Sequence, residues 1–355
     1  MKYIVIIRHT VIVTLLFAVT GCNQRSKIQL TEVAQSEALW TGVAVSKTGR
    51  IFVNYPRWFP DVTTSVAELS DSSVVRPYPD LEWNTFDPSG DLSSQFVCVQ
   101  SVYIDGDDYL WILDPAPSFL IGDSEVGPKL LKVDLATNEV IRTYLFDQSV
   151  APPSSYLNDV RIDTRRNFAY ITDSGLGAII VVDLTTGVNR RLLADHASTK
   201  AEDITLIVGG SPLLEADSSA VKIHSDGLAL DSRGEYLYYQ ALTGRHLYRI
   251  KTSTLRNAEL EQDELELAVE ALGESGASDG IIFGQDGNLY FTSIENNAIS
   301  RYTADGTFET VIRDDRLKWP DSFSVAADGS ILVTTSQIHL LAQQTEPFKI
   351  YSFKP

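Results

Sequence analysis

Asn158–Thr172 reads NDVRIDTRRNFAYIT, Asp226–Gln240 reads DGLALDSRGEYLYYQ, and Asp279–Ser293 reads DGIIFGQDGNLYFTS. Each opens on a polar residue, alternates apolar and polar side chains, breaks at a turn, and resumes as a second strand. Three more copies follow the same plan: TGVAVSKTGRIFV from Thr41, QSVYIDGDDYLWIL from Gln100, and DSFSVAADGSILVTT from Asp321. Period-two alternation is the signature of a strand with two different faces. The breaks carry Gly or Asp, as in Lys47-Thr48-Gly49, Gly106-Asp107-Asp108 and Ala327-Asp328-Gly329. Those residues tolerate the backbone of tight turns. Each copy is therefore a β-hairpin.

The copies begin 59, 58, 68, 53 and 42 residues apart. That spacing suits repeating blades, some with inserted loops. Further strand patterns follow most hairpins: Lys129–Leu135 and Glu139–Phe146, Ala178–Leu184 and Val188–Leu193, His246–Lys251 and Leu265–Ala271, Ala298–Thr303 and Phe308–Ile312. Four antiparallel strands in each of six repeats predict an all-β chain, a six-bladed β-propeller. A β-sandwich array does not account for six equivalent copies. The sixth repeat has a third strand, Phe348–Phe353, and nothing after it to serve as a fourth. Ile28–Val33 is predicted to fill that place, so that the mature N-terminal strand closes the ring and leaves no open edge. Two stretches, 54–98 and 194–222, do not fit the blade pattern and read as either functional lids or variable surface.

The N-terminus reads as an export signal. Lys2 and Arg8 precede a short apolar run, Thr10–Thr20, too short to span a membrane permanently. It ends in Val19-Thr20-Gly21-Cys22, which resembles the bacterial lipobox, with Val where Leu is usual. The expected division is a lipoprotein signal peptide over 1–21, a tether over 22–27 lipidated at Cys22, and the propeller over 28–355. A plain secretory signal is the alternative. The expected location is the cell envelope, with membrane contact only through the lipid. Without residues 1–21 the chain carries 27 basic and 47 acidic side chains, a net charge of −20. That balance argues against nucleic acid and anionic lipid surfaces as partners. Cys98 lies in the apolar run Phe96–Val99 and reads as a buried structural thiol.

Aligning the six copies on their first strand produces one column: Thr41, Gln100, Asn158, Asp226, Asp279 and Asp321. In a propeller, residues at the start of the innermost strand converge at the mouth of the central channel. Every member has a side-chain oxygen. Three clustered carboxylates repel one another, and burial makes ionisation costly, so a cation, a ligand or raised pKa values should compensate. Oxygen donors suit Ca²⁺ rather than zinc or copper. Asn158, Asp226 and Asp279 are the candidate metal ligands, with Ca²⁺ the candidate cofactor. His224, two residues before Asp226, is the one histidine placed to reach the mouth, and Asp226 and His224 are the candidate catalytic pair. The competing reading is that Asp-Gly before a strand is turn chemistry. It suits Asp226-Gly227 and Asp279-Gly280 but not Asn158-Asp159-Val160 or Asp321-Ser322-Phe323. No nucleophile elbow, P-loop or dinucleotide fingerprint is present, which leaves nucleotide and flavin cofactors without support.

Gln100–Pro115, Tyr156–Gly175, His224–Leu242, Ser278–Asn296 and Trp319–Thr335 together resemble the major royal jelly / yellow protein family. With a lipobox, the chain looks like a bacterial member of it. The resemblance implies a six-bladed propeller. It implies several functions: dopachrome-type tautomerase, amine binding in the channel, or nutritive and signalling roles. A more distant similarity is to gluconolactonase / senescence-marker propellers, whose metal is held by a Glu, two Asn and an Asp at inner strand starts. On that pattern Asn158 and Asp279 match, Asp226 replaces an Asn, and Thr41 replaces the Glu, which puts lactonase activity in doubt. The leading expectation is a small-molecule site at the channel mouth, for a cationic or aromatic compound. Trp111, Tyr156 and Trp319 are candidates to stack on it. A Ca²⁺-dependent lactone or ester hydrolase, a dopachrome-type isomerase, and a non-catalytic interaction scaffold are the alternatives.

Overall fold

The structure, a computed structural model, describes residues 28–70, 74–122 and 126–355. Six four-stranded antiparallel sheets succeed one another along the chain as the blades of a propeller. The innermost strands are Val43–Val45, Ser101–Ile104, Leu157–Asp163, Ser225–Leu230, Ser278–Phe283 and Pro320–Val325. The predicted signal, tether and Cys22 lie outside the described residues.

Both faces of a blade are buried, so its strands need two apolar faces rather than one. In the third blade, Ala178, Ile180 and Val182 pack toward the second blade. Ile179 and Val181 pack toward the fourth. The run AIIVV is continuous for this reason. The core is accordingly a ring of layers between neighbouring blades. Phe52, Tyr78 and Phe96 meet Val102 and Ile112 between blades one and two. Leu247 meets Ile281 and Phe291 between four and five. Val43 and Val53 meet Leu332 and Ile350 between six and one.

Three strand boundaries differ from expectation. The outer strand of the sixth blade is Thr31–Ser36, antiparallel to Phe348–Phe353, and not Ile28–Val33. Leu30 is instead buried beside Leu317 and Phe323, while Ala34 takes an inward-facing position in the pairing. In the fourth blade the outer strand is Glu270–Glu274, and Gln262–Leu267 is a helix. A reciprocal capping box between Glu261 and Glu264 starts that helix, and Leu265 packs inward from it. Part of the stretch 54–98 is blade after all, supplying Val66–Leu69 and Val75–Pro77 to the first sheet.

Adjacent blades are tied where their inner strands come closest to the axis. Thr41 Oγ1 donates to Gln100 O, Ser101 Oγ to Asp159 Oδ1, and Thr172 Oγ1 to Asp226 O, at 3.1, 2.9 and 2.6 Å. Thr334 Oγ1 donates to Thr41 O at 2.6 Å and joins the last blade to the first. Gly227 and Gly280 serve the same approach. A Cβ on Gly227 would lie 2.3 Å from Asp279 O, and one on Gly280 2.2 Å from Asp321 O. The Asp-Gly pairs are therefore not turns; their glycines admit the neighbouring backbone.

Thr334 is fully buried. Replacing it with Val keeps the shape and removes the donor to Thr41 O. The Thr334→Val protein is expected to lose about 1–3 kcal/mol in urea unfolding; an unchanged midpoint would show that this seam contributes nothing.

Candidate functional site

In blades three to six the first strand carries a bulge near its start. The register slips between Leu157 and Val160, Ser225 and Leu228, Ser278 and Ile281, and Pro320 and Phe323. Two residues there face one on the partner strand, which turns a side chain off its regular course. In three of these blades the facing residue is a threonine. Thr172 Oγ1 accepts from Asp159 N, Thr292 Oγ1 from Asp279 N and Gly280 N, and Thr334 Oγ1 from Ser322 N. The bulges are thus fastened by hydroxyls.

These bulges bring Asp226, Asp279 and Asp321 together, with one addition. Asp159, the second residue of the third-blade bulge, belongs to the same electrostatic cluster. All four are at most 9% exposed. Burial, then the charge of Asp279, pushes the pKa of Asp226 well above the usual carboxylate range. Burial and Asp279 do the same to Asp321. Burial drives Asp279 up to about 7, although the Trp319 hydrogen bond works against it. Asp159 is also raised by burial, against the pull of Arg161. Asp226 and Asp279 lie close enough for each to bear on the other's ionisation. Two buried carboxyl groups so placed favour a state in which one of them keeps its proton.

The surrounding groups orient the cluster. Trp319 Nε1 donates to Asp279 Oδ2 at 2.7 Å, and the indole stacks on His339 with ring centres 5.9 Å apart. Trp319 holds this position with a φ of +50°, uncommon for a bulky side chain. Arg161 Nη2 lies 3.6 Å from Asp159 Oδ2 and also donates to Ile281 O at 3.0 Å, so its guanidinium reaches from the third blade to the fifth.

The other column residues have different surroundings. Thr41 is locked into the seam between blades one and two, accepting from Asn54 Nδ2 while donating to Gln100 O. Gln100 Oε1 accepts from Tyr156 Oη, which accepts from Trp58 Nε1. Asn158 is buried, and no hydrogen bond of its side chain occurs among the described residues. His224 Nδ1 accepts from Ala201 N and so anchors the insertion that follows blade three. Burial, then Lys200, lowers its pKa; its charged neighbours are Lys200, Asp173 and Lys222. Trp111 is core, bonded to Asp105. Cys98 is buried, and burial pushes its thiol up to about 12.

The donor set is entirely oxygen, which in kind fits a hard cation such as Ca²⁺. Among the described residues, no three His, Cys, Asp or Glu side chains are already arranged to hold a metal ion. The proton that burial favours on Asp226 opposes such an arrangement. A cation entering here would have to displace it.

The model of the major royal jelly protein family matches residues 97–354. Major royal jelly protein 6 of Apis mellifera is 26% identical over 237 residues, which cover 64% of this chain and 51% of that protein. This chain thus spans about half the length of that relative. Among solved structures, a gluconolactonase from Xanthomonas campestris is similar with a TM-score of 0.57 at 12% identity, over 92% of this chain and 89% of that one. Regucalcin from Agrobacterium tumefaciens, described as a calcium-binding protein, is similar with a TM-score of 0.54 at 15% identity, over 92% and 95% of the two chains. At such identities these structures speak for the fold alone.

Groups whose pKa is raised by folding stabilise the protein at low pH and lose that contribution as pH rises through the folded value. For Asp279 the window runs from its ordinary value of 3.8 to about 7. The melting temperature of Asp279→Asn, measured against the unaltered protein from acid to neutral pH, should gain ground as pH rises. A constant difference between the two would mean that Asp279 titrates normally.

Proposed function

The chain belongs to the major royal jelly protein family, and from that premise we propose that it binds a small cationic molecule at the carboxylate-lined mouth of its channel. One observation carries this reading. Asp159, Asp226, Asp279 and Asp321 are buried together, and among the described residues Arg161, beside Asp159, is the cation that pairs with them. Folding has concentrated acceptors where their charge is costly. A protonated amine would relieve that cost by taking the place of the proton that burial favours on the cluster. Tyr156, bonded to Gln100, is half-buried and offers an aromatic face near the same end, whereas Trp319 is buried and orients Asp279.

Two variants of the reading use the same groups. Ca²⁺ would draw on Asn158, Asp226 and Asp279 and would supply Lewis-acid chemistry to a bound oxygen. Alternatively, neighbouring Asp226 and Asp279, one protonated and one not, would be an acid and a base side by side, as tautomerisation of a dopachrome-type substrate requires. In that reaction Asp279 would accept a proton from the substrate while Asp226 returned one. Lactone or ester hydrolysis has less support, because Thr41, placed where the related propellers have a metal-binding Glu, is bound into the seam. A pure interaction scaffold would leave the buried charge without a purpose.

Elemental analysis of the purified protein, with melting curves before and after chelation, separates ion from amine. Stoichiometric calcium with a lowered melting temperature on chelation would favour the ion. If the amine reading holds, 2-phenylethylamine titrated in a calorimeter binds one to one. Because it competes with a proton, its affinity should rise between about pH 5 and 8. Asp279→Asn should weaken it roughly tenfold. An affinity indifferent to both pH and this substitution would sink the proposal.

We also propose export and lipid attachment at Cys22, supported by the Val19–Cys22 motif. The protein should partition with membranes, and Cys22→Ser should release it to the soluble fraction. Retention of the Cys22→Ser protein on membranes would count against the anchor.

A further inference from the structure

The carboxylates occupy the beginnings of the inner strands. The ends of those strands meet at the other mouth of the channel, around a cavity of about 410 Å³ walled by all six blades. That volume lies within the usual range for small-molecule sites. Its walls are largely apolar, with Val45, Tyr103, Ile104, Phe283 and Phe323 among them. Its polar groups are mostly donors.

Arg161 is one of the lining residues, and its guanidinium lies against the Tyr103 ring, 5.1 Å from the centre. Arg161 is 6% exposed, and its Nε is buried with no hydrogen-bond partner. Ser324 Oγ accepts from Val45 N, which leaves its own proton to give. Lys47 stands exposed at the rim, with Nζ donating to Gly106 O and two further protons to offer. The acidic member of the lining, Asp105, already accepts from Asp107 N, Tyr109 N and Trp111 Nε1. A ligand that fits this distribution accepts hydrogen bonds, carries negative charge and has an apolar body.

We propose that this end of the channel is a second site, taking a small carboxylate with an aromatic body. The carboxylate would meet the donors of Arg161, Ser324 and Lys47, and the ring would lie among the apolar walls. This site lies at the opposite end of the channel from the one formed by Asp226 and Asp279, and the Arg161–Asp159 pair links the two. It takes the opposite charge, and Arg161 stands between the two.

Calorimetric titration with phenylacetate, phenylacetamide and 2-phenylethylamine tests it. Phenylacetate should bind one to one, and the neutral amide should bind at least roughly tenfold more weakly. Arg161→Gln should weaken phenylacetate by a similar factor. Ala327 is exposed at the rim, so Ala327→Trp should block phenylacetate without disturbing the core. It should leave 2-phenylethylamine binding as it was, which separates this proposal from the channel-mouth reading. If Arg161→Gln does not fold, Ala327→Trp decides alone. Absence of phenylacetate binding, equal binding of the amide, or full binding by Ala327→Trp would each overturn the second site.

Discussion

Six strands starting around one axis must share a space that barely holds their backbones, and the molecule is organised by that crowding. Where the strands approach, a side chain is either absent, as at Gly227 and Gly280, or spent on binding the next blade, as at Thr41, Thr172 and Thr334. The buried layers between blades follow from the same geometry. Each sheet is clamped between two others, so continuous apolar runs such as Ala178–Val182 are tolerated, and both faces contribute hydrophobic stabilisation.

The crowding also creates the chemistry. A bulge at the start of an inner strand has nowhere to send its side chain except toward the axis or a neighbouring blade. Four bulges therefore gather Asp159, Asp226, Asp279 and Asp321 into a space that water reaches poorly. Proteins seldom keep such charge without use, and strained or costly arrangements cluster where function resides. Trp319 shows the same economy, holding an unfavourable backbone angle so that its indole reaches Asp279.

Much of this was legible because repetition is visible in a sequence. Six hairpins at blade spacing predict the fold, and their aligned first residues locate three of the clustered carboxylates. The alignment missed Asp159 because it took each strand as regular. In the third blade the bulge passes the acidic role to the next residue, and a period-two reading cannot see an extra residue. Turn chemistry competed as a reading of Asp-Gly for a related reason: the need for glycine comes from a neighbouring strand far along the chain. Thr41 matched by position but is spent on the seam, a fact that depends on Asn54 and Gln100. The helix at Gln262–Leu267 was missed because Leu265 and Leu267 also satisfy strand alternation, and the Glu261–Glu264 cap decided otherwise. Arg161 could have been suspected from a lone basic residue among apolar neighbours, but its reach to Ile281 O belongs to the folded ring.

Glu32 and Lys349 form an ion pair across the outermost pairing of the sixth blade, although 317 residues separate them. The earlier strand thus finds its partner only after the intervening blades have been made. Until then every earlier blade can assemble on its predecessor, while the first waits without a neighbour on one side. Completion of the ring is a late event with high contact order, and loop-closure entropy opposes it. The ring is therefore sealed by two strands from opposite ends of the propeller sequence. It cannot lock into its final shape while part of it has yet to arrive.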